Sequence, residues 1–222
     1  IVPLDLDDLE PRLRSAFDAG IRAIAIVLMH GYRVTAHEEK IAALAKTIGF
    51  SQISTSHATS PMIKFVGRGD TTVADAYLSP ILRRYIDRLA TDLDGSAQTK
   101  LQMMQSNGGL TDAALFQGKD AILSGPAGGI VGAVKTATQA GFEKVITFDM
   151  GGTSTDVAHY DGGYERVFDT MVAGVRIHAP MLLIHTVAAG GGSLCRFDNG
   201  RFQVGPKSAG ANPGPACYRR GG

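Results

Sequence analysis

Cysteine is scarce in this sequence, with only Cys195 and Cys217. They form no CxxC pair, so neither a disulfide scaffold nor a thiolate metal site is supported, and a reducing, cytoplasmic setting is expected. Each thiol is expected to lie buried as a small hydrophobe. Charge of one sign is also lacking: a formal net charge of +1 over 222 residues gives no electrostatic case for nucleic acid or an anionic membrane as partner. Long apolar runs are missing, since the longest, Ile24 to Met29, falls far short of the ~20 residues a membrane span needs. The opening "IVPLDLDDLEPRLRS" is acidic where a secretory leader is basic, so no leader is expected. Several catalytic signatures are absent as well. Without GxGxxG or GxxxxGK[ST], the Rossmann fingerprint and the P-loop are excluded. Without GxSxG or HExxH, nucleophilic hydrolysis and zincin chemistry have no support.

What remains is an ordinary soluble composition, 44% hydrophobic and 19% charged, long enough for one large domain or two modest ones. Glycine is sparse before position 100 and clustered after it, as "NGGL", "SGPAGGIVGA", "DMGGTSTD", "AAGGGS" and "SAGANPGPA". Such clusters mark loops with unusual dihedrals or a close approach to a ligand.

Hydrophobic spacing predicts a helix over 7–19, with Leu9, Leu13, Ala16 and Phe17 on one face, then a buried strand over 21–30. A helix over 35–49 follows, capped by Thr35 with Glu38 completing a capping box and Gly49 ending it, and then a strand over 50–57. Helix, strand, helix, strand implies an α/β unit with a parallel pair. A long helix is expected over 67–93, capped at Asp70 or Thr71 and kinked or broken at Pro80. A strand over 100–106 comes next, and "SGPAGG" leads into a helix with Pro126 in its first turn. Strands are expected over 144–150 and 154–163. The stretch 181–188 reads as either helix or strand, and Asn199-Gly200 between alternating runs signals a hairpin. A boundary is expected near 60–70.

The stretch "FDMGGTSTDV" carries the chemistry. Asp149 ends an apolar run, Gly151 and Gly152 make a tight turn, and Thr153, Ser154, Thr155 and Asp156 follow. Glycine lets a phosphate approach backbone N–H groups, and the hydroxyls add donors. Two aspartates would repel a bare phosphate. They are accounted for if a divalent cation lies between, because Mg²⁺ accepts one or two carboxylates together with phosphate oxygens. The residue set suggests a Mg–nucleotide clamp.

"FDMGGTSTDV" resembles the second phosphate-binding hairpin of the actin, Hsp70 and sugar-kinase ATPases. With "QSNGGL", "SGPAGGIVGA", "AAGGGS" and "GPKSAGANPGPACYRRGG", and with "STSHATSP" and "GRGDTTVADAYLSPILRRY" upstream, the chain resembles the hydantoinase A / 5-oxoprolinase family over nearly its whole length. The resemblance implies a partial α/β, actin-like ATPase (ribonuclease H-like) fold. Residues 1–66 would end an N-terminal domain, and 67–222 would form most of an ATPase-type domain. It implies ATP and Mg²⁺ as cofactors, a cyclic amide or imide as substrate, and a hydantoinase B-type subunit or domain as partner. The γ-phosphoryl group would pass to a ring carbonyl oxygen, chemistry that rests mostly on positioning and charge neutralisation. Relatives that carboxylate ketones, and a non-catalytic nucleotide-binding scaffold, are the alternatives. By resemblance, Gly151, Gly152, Thr153 and Thr155 hold phosphate, and Asp149 and Asp156 bind Mg²⁺ or orient an attacking group. Gly190, Gly191, Gly192 and Ser193 belong to the cofactor site, facing adenosine or substrate; a plain flexible connection is the competing reading. The family's first phosphate hairpin has no counterpart upstream here, so the chain is expected to be an internal fragment without catalysis of its own.

The remaining candidates are weaker. "SGPAGG" would either bring a helix N-terminus to an interdomain cleft or serve close helix packing. His159, His178 and His185 with Asp156 could form a metal site, although solvated or hydrogen-bonded histidines are the favoured reading. His57 is expected on a loop, Arg68 and Asp70 as a cap and structural pair, and "YRRGG" as solvated loop.

Overall fold

The computed structural model describes residues 3–93 and 100–222. The chain forms two compact units. The first takes the chain up to Ser124 together with Val167–Met181, and the second takes Gly125–Arg166 and Leu182–Gly222.

The first unit opens with α1 (Leu6–Asp18), whose N-terminus is capped by Asp5, the carboxylate accepting from the N–H groups of Asp7 and Asp8 at 3.0 and 3.1 Å. Then come β1 (Ala23–Ile26), α2 (Ala36–Ile48) and β2 (Gln52–Thr55), with β1 and β2 parallel and in register from Ala23↔Gln52 to Ile26↔Thr55. The parallel pair is the one the alternating pattern predicts, although β1 is shorter than the apolar run. Leu13, Ile26, Ile41, Ala45 and Phe50 form the core, with Leu9 and Phe17 packed against it. α2 ends at Gly49 in the left-handed region. Its start departs from expectation: the Thr35 hydroxyl makes no cap bond.

Glu38 is drawn inward instead of completing a capping box, and it is fully buried. Its carboxylate accepts from the Leu28 N–H (2.9 Å), the Ser56 hydroxyl (2.6 Å), the His57 N–H (3.1 Å) and His57 Nδ1 (2.8 Å). His57 therefore belongs to this network and to the short helix α3 (Ser56–Thr59), not to a loop. Ser56 in turn accepts from Arg68 Nε at 2.9 Å. The Arg68 guanidinium, also fully buried, donates onward to the carbonyls of Met62 and Leu28, both at 2.6 Å.

Arg68 lies in α4 (Phe65–Leu93), which begins before the expected cap. Asp70 and Thr71 are therefore helix interior, and Arg68 pairs with Ser56 and carbonyls, not with Asp70. Thr71 and Thr72 bond back to the carbonyls of Gly67 and Arg68. The helix runs unbroken through Pro80. Both sides of the proline are tied down. Asp75 accepts from the hydroxyls of Ser54 (2.6 Å) and Ser79 (3.2 Å) and from the Lys119 N–H (3.0 Å), while Arg83 donates to the carbonyls of Ala113 and Phe116, both at 2.9 Å. Beyond it come β3 (Gln102–Met104), its antiparallel partner β4 (Leu110–Asp112) and α5 (Gly118–Ala121).

α6 (Ser124–Gln139) carries Pro126 in its first turn and buries Ala127, Ile130 and Val134. β5 (Lys144–Met150) and β6 (Thr155–Asp161) form an antiparallel hairpin. The chain then returns to the first unit as β7 (Arg166–Val172) and β8 (Val175–Leu182), which pair with each other. There Ile177, Ala179 and Met181 pack against Ala74, Ile122 and Leu123. Stretch 181–188 resolves as strand: the end of β8, then β9 (His185–Val187), antiparallel to β6. The hairpin of β10 (Ser193–Asp198) and β11 (Arg201–Ser208) turns at Asn199 and Gly200, with φ of +46° and +77° as a type I′ turn needs. Cys195 on β10 and Cys217 in a 3₁₀ turn (Ala216–Tyr218) are exposed, contrary to the expected burial. On the same hairpin Leu194, Phe197, Phe202 and Val204 are exposed too, so no described residue forms a core for Cys195 to join.

Burial pushes the Glu38 carboxyl up, but hydrogen bonds from Ser56, Leu28 and His57 outweigh it and hold it below the ordinary carboxylate range. A pKa lower in the folded than in the unfolded state gives stability that is present above the unfolded value and lost as pH falls through the folded one. Glu38→Gln leaves buried donors facing an amide and is expected to cost about 2–4 kcal/mol at neutral pH. Urea denaturation at neutral and acid pH checks this: the difference between wild type and variant should shrink on acidification.

Candidate functional site

The register of the β5–β6 hairpin makes Asp149 and Asp156 direct cross-strand partners, so both carboxylates lie on one face of the sheet. Thr186 on β9 is the next partner of Asp156, and its hydroxyl donates to Asp156 Oδ1 at 2.6 Å. With Pro126, Gly129, Ile130 and Ala133 of α6, the two aspartates line a cleft of ≈ 380 Å³ made of second-unit residues. A Cβ on Gly129 would sit 3.9 Å from Asp149 Oδ2, so the first turns of α6 face the carboxylates, as the positive end of a helix dipole favours. Tight packing is not what Gly125 serves in "SGPAGG", since a Cβ there meets no heavy atom within 4 Å, and the contact at Gly129 is an ordinary one.

Two carboxylates directly opposite one another repel. Among the described residues no Lys, Arg or His forms an ion pair with either. Nor do the described residues contain three or more His, Cys, Asp or Glu grouped to hold a metal by themselves. An uncompensated carboxylate pair fits Mg²⁺, which takes one or two carboxylates and completes its shell with water and phosphate oxygens.

At the hairpin tip, the turn 151–154 is closed by the Gly151 N–H donating to the Ser154 carbonyl at 2.9 Å. The "AAGGGS" loop lies directly on this turn. Gly191 N–H donates to the Gly151 carbonyl (2.9 Å) and Gly192 N–H to the Gly152 carbonyl (2.7 Å). The Thr155 hydroxyl, buried, donates to the Ala189 carbonyl at 2.6 Å. Ser193 Oγ accepts from the Gly190 N–H at 3.1 Å. A Cβ on Gly190 would stand 2.7 Å from the Gly151 carbonyl oxygen and 2.8 Å from Thr153 N, so only glycine fits there. The loop is thus a brace for the tip, neither a flexible connection nor an open row of donors. The N–H groups of Gly152, Thr153 and Ser154 have no acceptor among the described residues. They sit at the exposed end of the hairpin, beside the Thr153 side chain.

The histidines form no cluster. His159 Nδ1 pairs with Glu165 at 2.9 Å, His178 Nδ1 meets the Asp169 carboxylate, and His185 is exposed on β9. This matches the hydrogen-bonded reading. Sequence reasoning missed Thr186, whose role appears only in the register, and Tyr218. The latter was expected in solvated loop, but its hydroxyl approaches Gly152.

A family model described as "Hydantoinase/oxoprolinase" matches residues 68–222, and "Hydantoinase/oxoprolinase N-terminal region" matches 1–49. The chain is 48% identical over 224 aligned residues to 5-oxoprolinase 1 of Arabidopsis thaliana, covering all of this chain and 18% of that protein. It is 37% identical to the caprolactamase subunit alpha of Pseudomonas jessenii, spanning 32% of it. The crystal structure of the ATP-dependent caprolactamase from that organism superposes with a TM-score of 0.84, covering 33% of that chain at 36% identity. Nucleotide-free acetone carboxylase superposes at 0.76 with 26% identity, covering 31% of that chain. The chain therefore spans a third or less of the length of these relatives. Its fold is α/β, of the actin-like ATPase class, and present in part.

Gly190→Ala is expected to cost about 1–3 kcal/mol by forcing backbone apart. Amide exchange at Gly191 and Gly192 should accelerate. Gly132→Ala, in open space on α6, should instead be neutral or stabilise by up to about 1 kcal/mol. Thermal melts and residue-resolved hydrogen exchange separate the two.

Proposed function

The chain belongs to the hydantoinase/oxoprolinase family, and from that premise we propose that it is part of an ATP-dependent hydrolase that opens a cyclic amide ring. The observation carrying this is the Asp149–Asp156 pair on one sheet face, next to a glycine tip whose Gly152, Thr153 and Ser154 N–H groups have no acceptor among the described residues. Carboxylates to hold a cation and amides to hold phosphate oxygens are what a Mg–nucleotide needs at adjacent points.

In this reading Gly152, Thr153 and Ser154 present the amides of the phosphate-facing edge, and Gly151 closes the turn that holds them. Thr155, Gly190, Gly191, Gly192 and Ser193 act through the tip: their hydrogen bonds hold its amides in place. Asp149 and Asp156 hold Mg²⁺ directly or through water, and the Thr186 hydroxyl orients Asp156. Mg²⁺ bound there would neutralise charge on the phosphates. ATP would supply the γ-phosphoryl group, which the ring carbonyl oxygen would take with ADP as the leaving group. One water would add to the phosphorylated carbonyl carbon and the C–N bond would break, leaving an acyl phosphate, and a second water would release inorganic phosphate and the carboxylate. The 48% and 37% identities to proteins named for oxoproline and caprolactam favour a lactam or imide over a ketone substrate, for which the acetone carboxylase likeness stands at 26%.

The same proposal places the junction of N-terminal region and ATPase-type domain between residues 66 and 67, in the interval between the two family matches. It takes a hydantoinase B-type subunit or domain as partner; the caprolactamase relative is itself named as a subunit. It sets the protein in the cytoplasm, where two exposed, unpaired thiols are kept reduced. No helix among the described residues is long and apolar enough to cross a membrane.

Calorimetric titration with ATP, with and without Mg²⁺, tests the site. Wild type is expected to bind only with Mg²⁺, and Asp156→Ala to weaken binding at least about tenfold, as loss of a charged ligand implies. Mg-independent binding, or an unaffected variant, would remove the clamp assignment. With the partner present, one ATP consumed per ring opened supports the hydrolase, whereas bicarbonate dependence supports the carboxylase reading.

A further inference from the structure

Resting on the nucleotide reading above, we infer that Tyr218 is part of the same site, its hydroxyl donating to a phosphoryl oxygen held at the hairpin tip. Three observations converge on it. The first is how the chain brings Tyr218 there. Beyond β11, the Ala209 N–H donates to the Gly192 carbonyl at 2.7 Å, and the Gly214 N–H returns to the Ala209 carbonyl at 3.2 Å. The segment is thereby stacked on the brace that is itself stacked on the tip. A 3₁₀ turn follows, with the Tyr218 N–H on the Pro215 carbonyl at 2.9 Å.

The second is that the ring has a seat. Gly214 is buried with φ of +78°, and a Cβ there would overlap the Tyr218 ring, standing 2.9 Å from Cε2. Glycine is required twice over, by the backbone angle and by the aromatic ring lying against it. The contact seats one edge of the ring against Gly214.

The third is where the hydroxyl points. It lies 3.6 Å from the position a Gly152 Cβ would occupy, at the turn whose Gly152, Thr153 and Ser154 amides are without acceptors among the described residues. The Tyr218 side chain is itself about half exposed, which leaves its hydroxyl open to a ligand. Several donors gathered at one tip with no acceptor supplied by the chain call for an anion with several acceptor oxygens, and a phosphoryl group is that chemistry. A phenol suits the task because it adds a donor without adding a charge next to Asp149 and Asp156.

Titration calorimetry with Mg·ATP, Mg·ADP and adenosine tests this on wild type, Tyr218→Phe and Asp156→Ala. Tyr218→Phe keeps the ring in its seat, so its melting temperature should match wild type. Its affinity for Mg·ATP should fall about tenfold, the scale of one hydrogen bond to a charged group, with adenosine unchanged. Tyr218→Ala should lose the same affinity and melt lower. If Tyr218→Phe binds both nucleotides as wild type does while Asp156→Ala does not, Tyr218 is a packing residue only, and the inference falls while the nucleotide site stands. If wild type binds no nucleotide, both fall together.

Discussion

A contact made without side chains holds the functional end of the second unit together. Gly190, Gly191 and Gly192 lie against the turn 151–154 at hydrogen-bonding distance, backbone on backbone, and a single methyl group on Gly190 would not fit. Everything else at the site is placed from this contact. It sets the shape of the tip and engages the amides of Gly191 and Gly192, leaving those of Gly152, Thr153 and Ser154 facing outward. It also gives the Thr155 hydroxyl its acceptor and provides the ledge on which the segment carrying Tyr218 is stacked. The Asp149–Asp156 pair sits one step back along the same hairpin, where strand register rather than loop shape decides its geometry. Amides without acceptors among the described residues and a facing pair of carboxylates are thus presented by two different physical devices on one supersecondary unit.

The first unit is organised on the opposite principle. Its centre is a chain of buried charge: Glu38 accepting from Ser56, and Ser56 accepting from Arg68. Arg68 is anchored on carbonyls at the exit of β1 and before α4. A buried carboxylate or guanidinium is costly unless its hydrogen-bonding capacity is met, so each member makes the others obligatory. This explains why α2 starts without its expected cap and why α4 begins earlier than its polar residues suggest. Glu38 and Arg68 are needed inside, and the helix ends are set by that need.

Much of the local geometry was legible from residue types alone. The pairing of Asp149 with Asp156 follows from a strand, a two-glycine turn and a returning strand, since alternation over that spacing puts both acids on one face. The parallel β1–β2 pair and the Asn199-Gly200 hairpin followed from period and turn chemistry in the same way. What misled was local propensity where a tertiary partner overrode it. Glu38 fits a capping box but finds better donors in Leu28, Ser56 and His57. Pro80 reads as a break but sits in a helix anchored on both sides by Asp75 and Arg83. Cys195 and Cys217 read as buried, yet both are exposed.

By itself, the sequence determined the α/β alternation, the strand–Gly-Gly–strand unit with its flanking acids, and the family to which these belong. All are properties of neighbours in the chain, where period and turn preference act. Only the tertiary structure brought "AAGGGS" against the tip, gave the Thr155 hydroxyl its acceptor in Ala189, set the Thr186 hydroxyl on Asp156 and carried the Tyr218 hydroxyl close to Gly152. Each of these joins residues some 30 or more positions apart. Such contacts are set by which backbones can approach within hydrogen-bonding distance, and no local pattern encodes that.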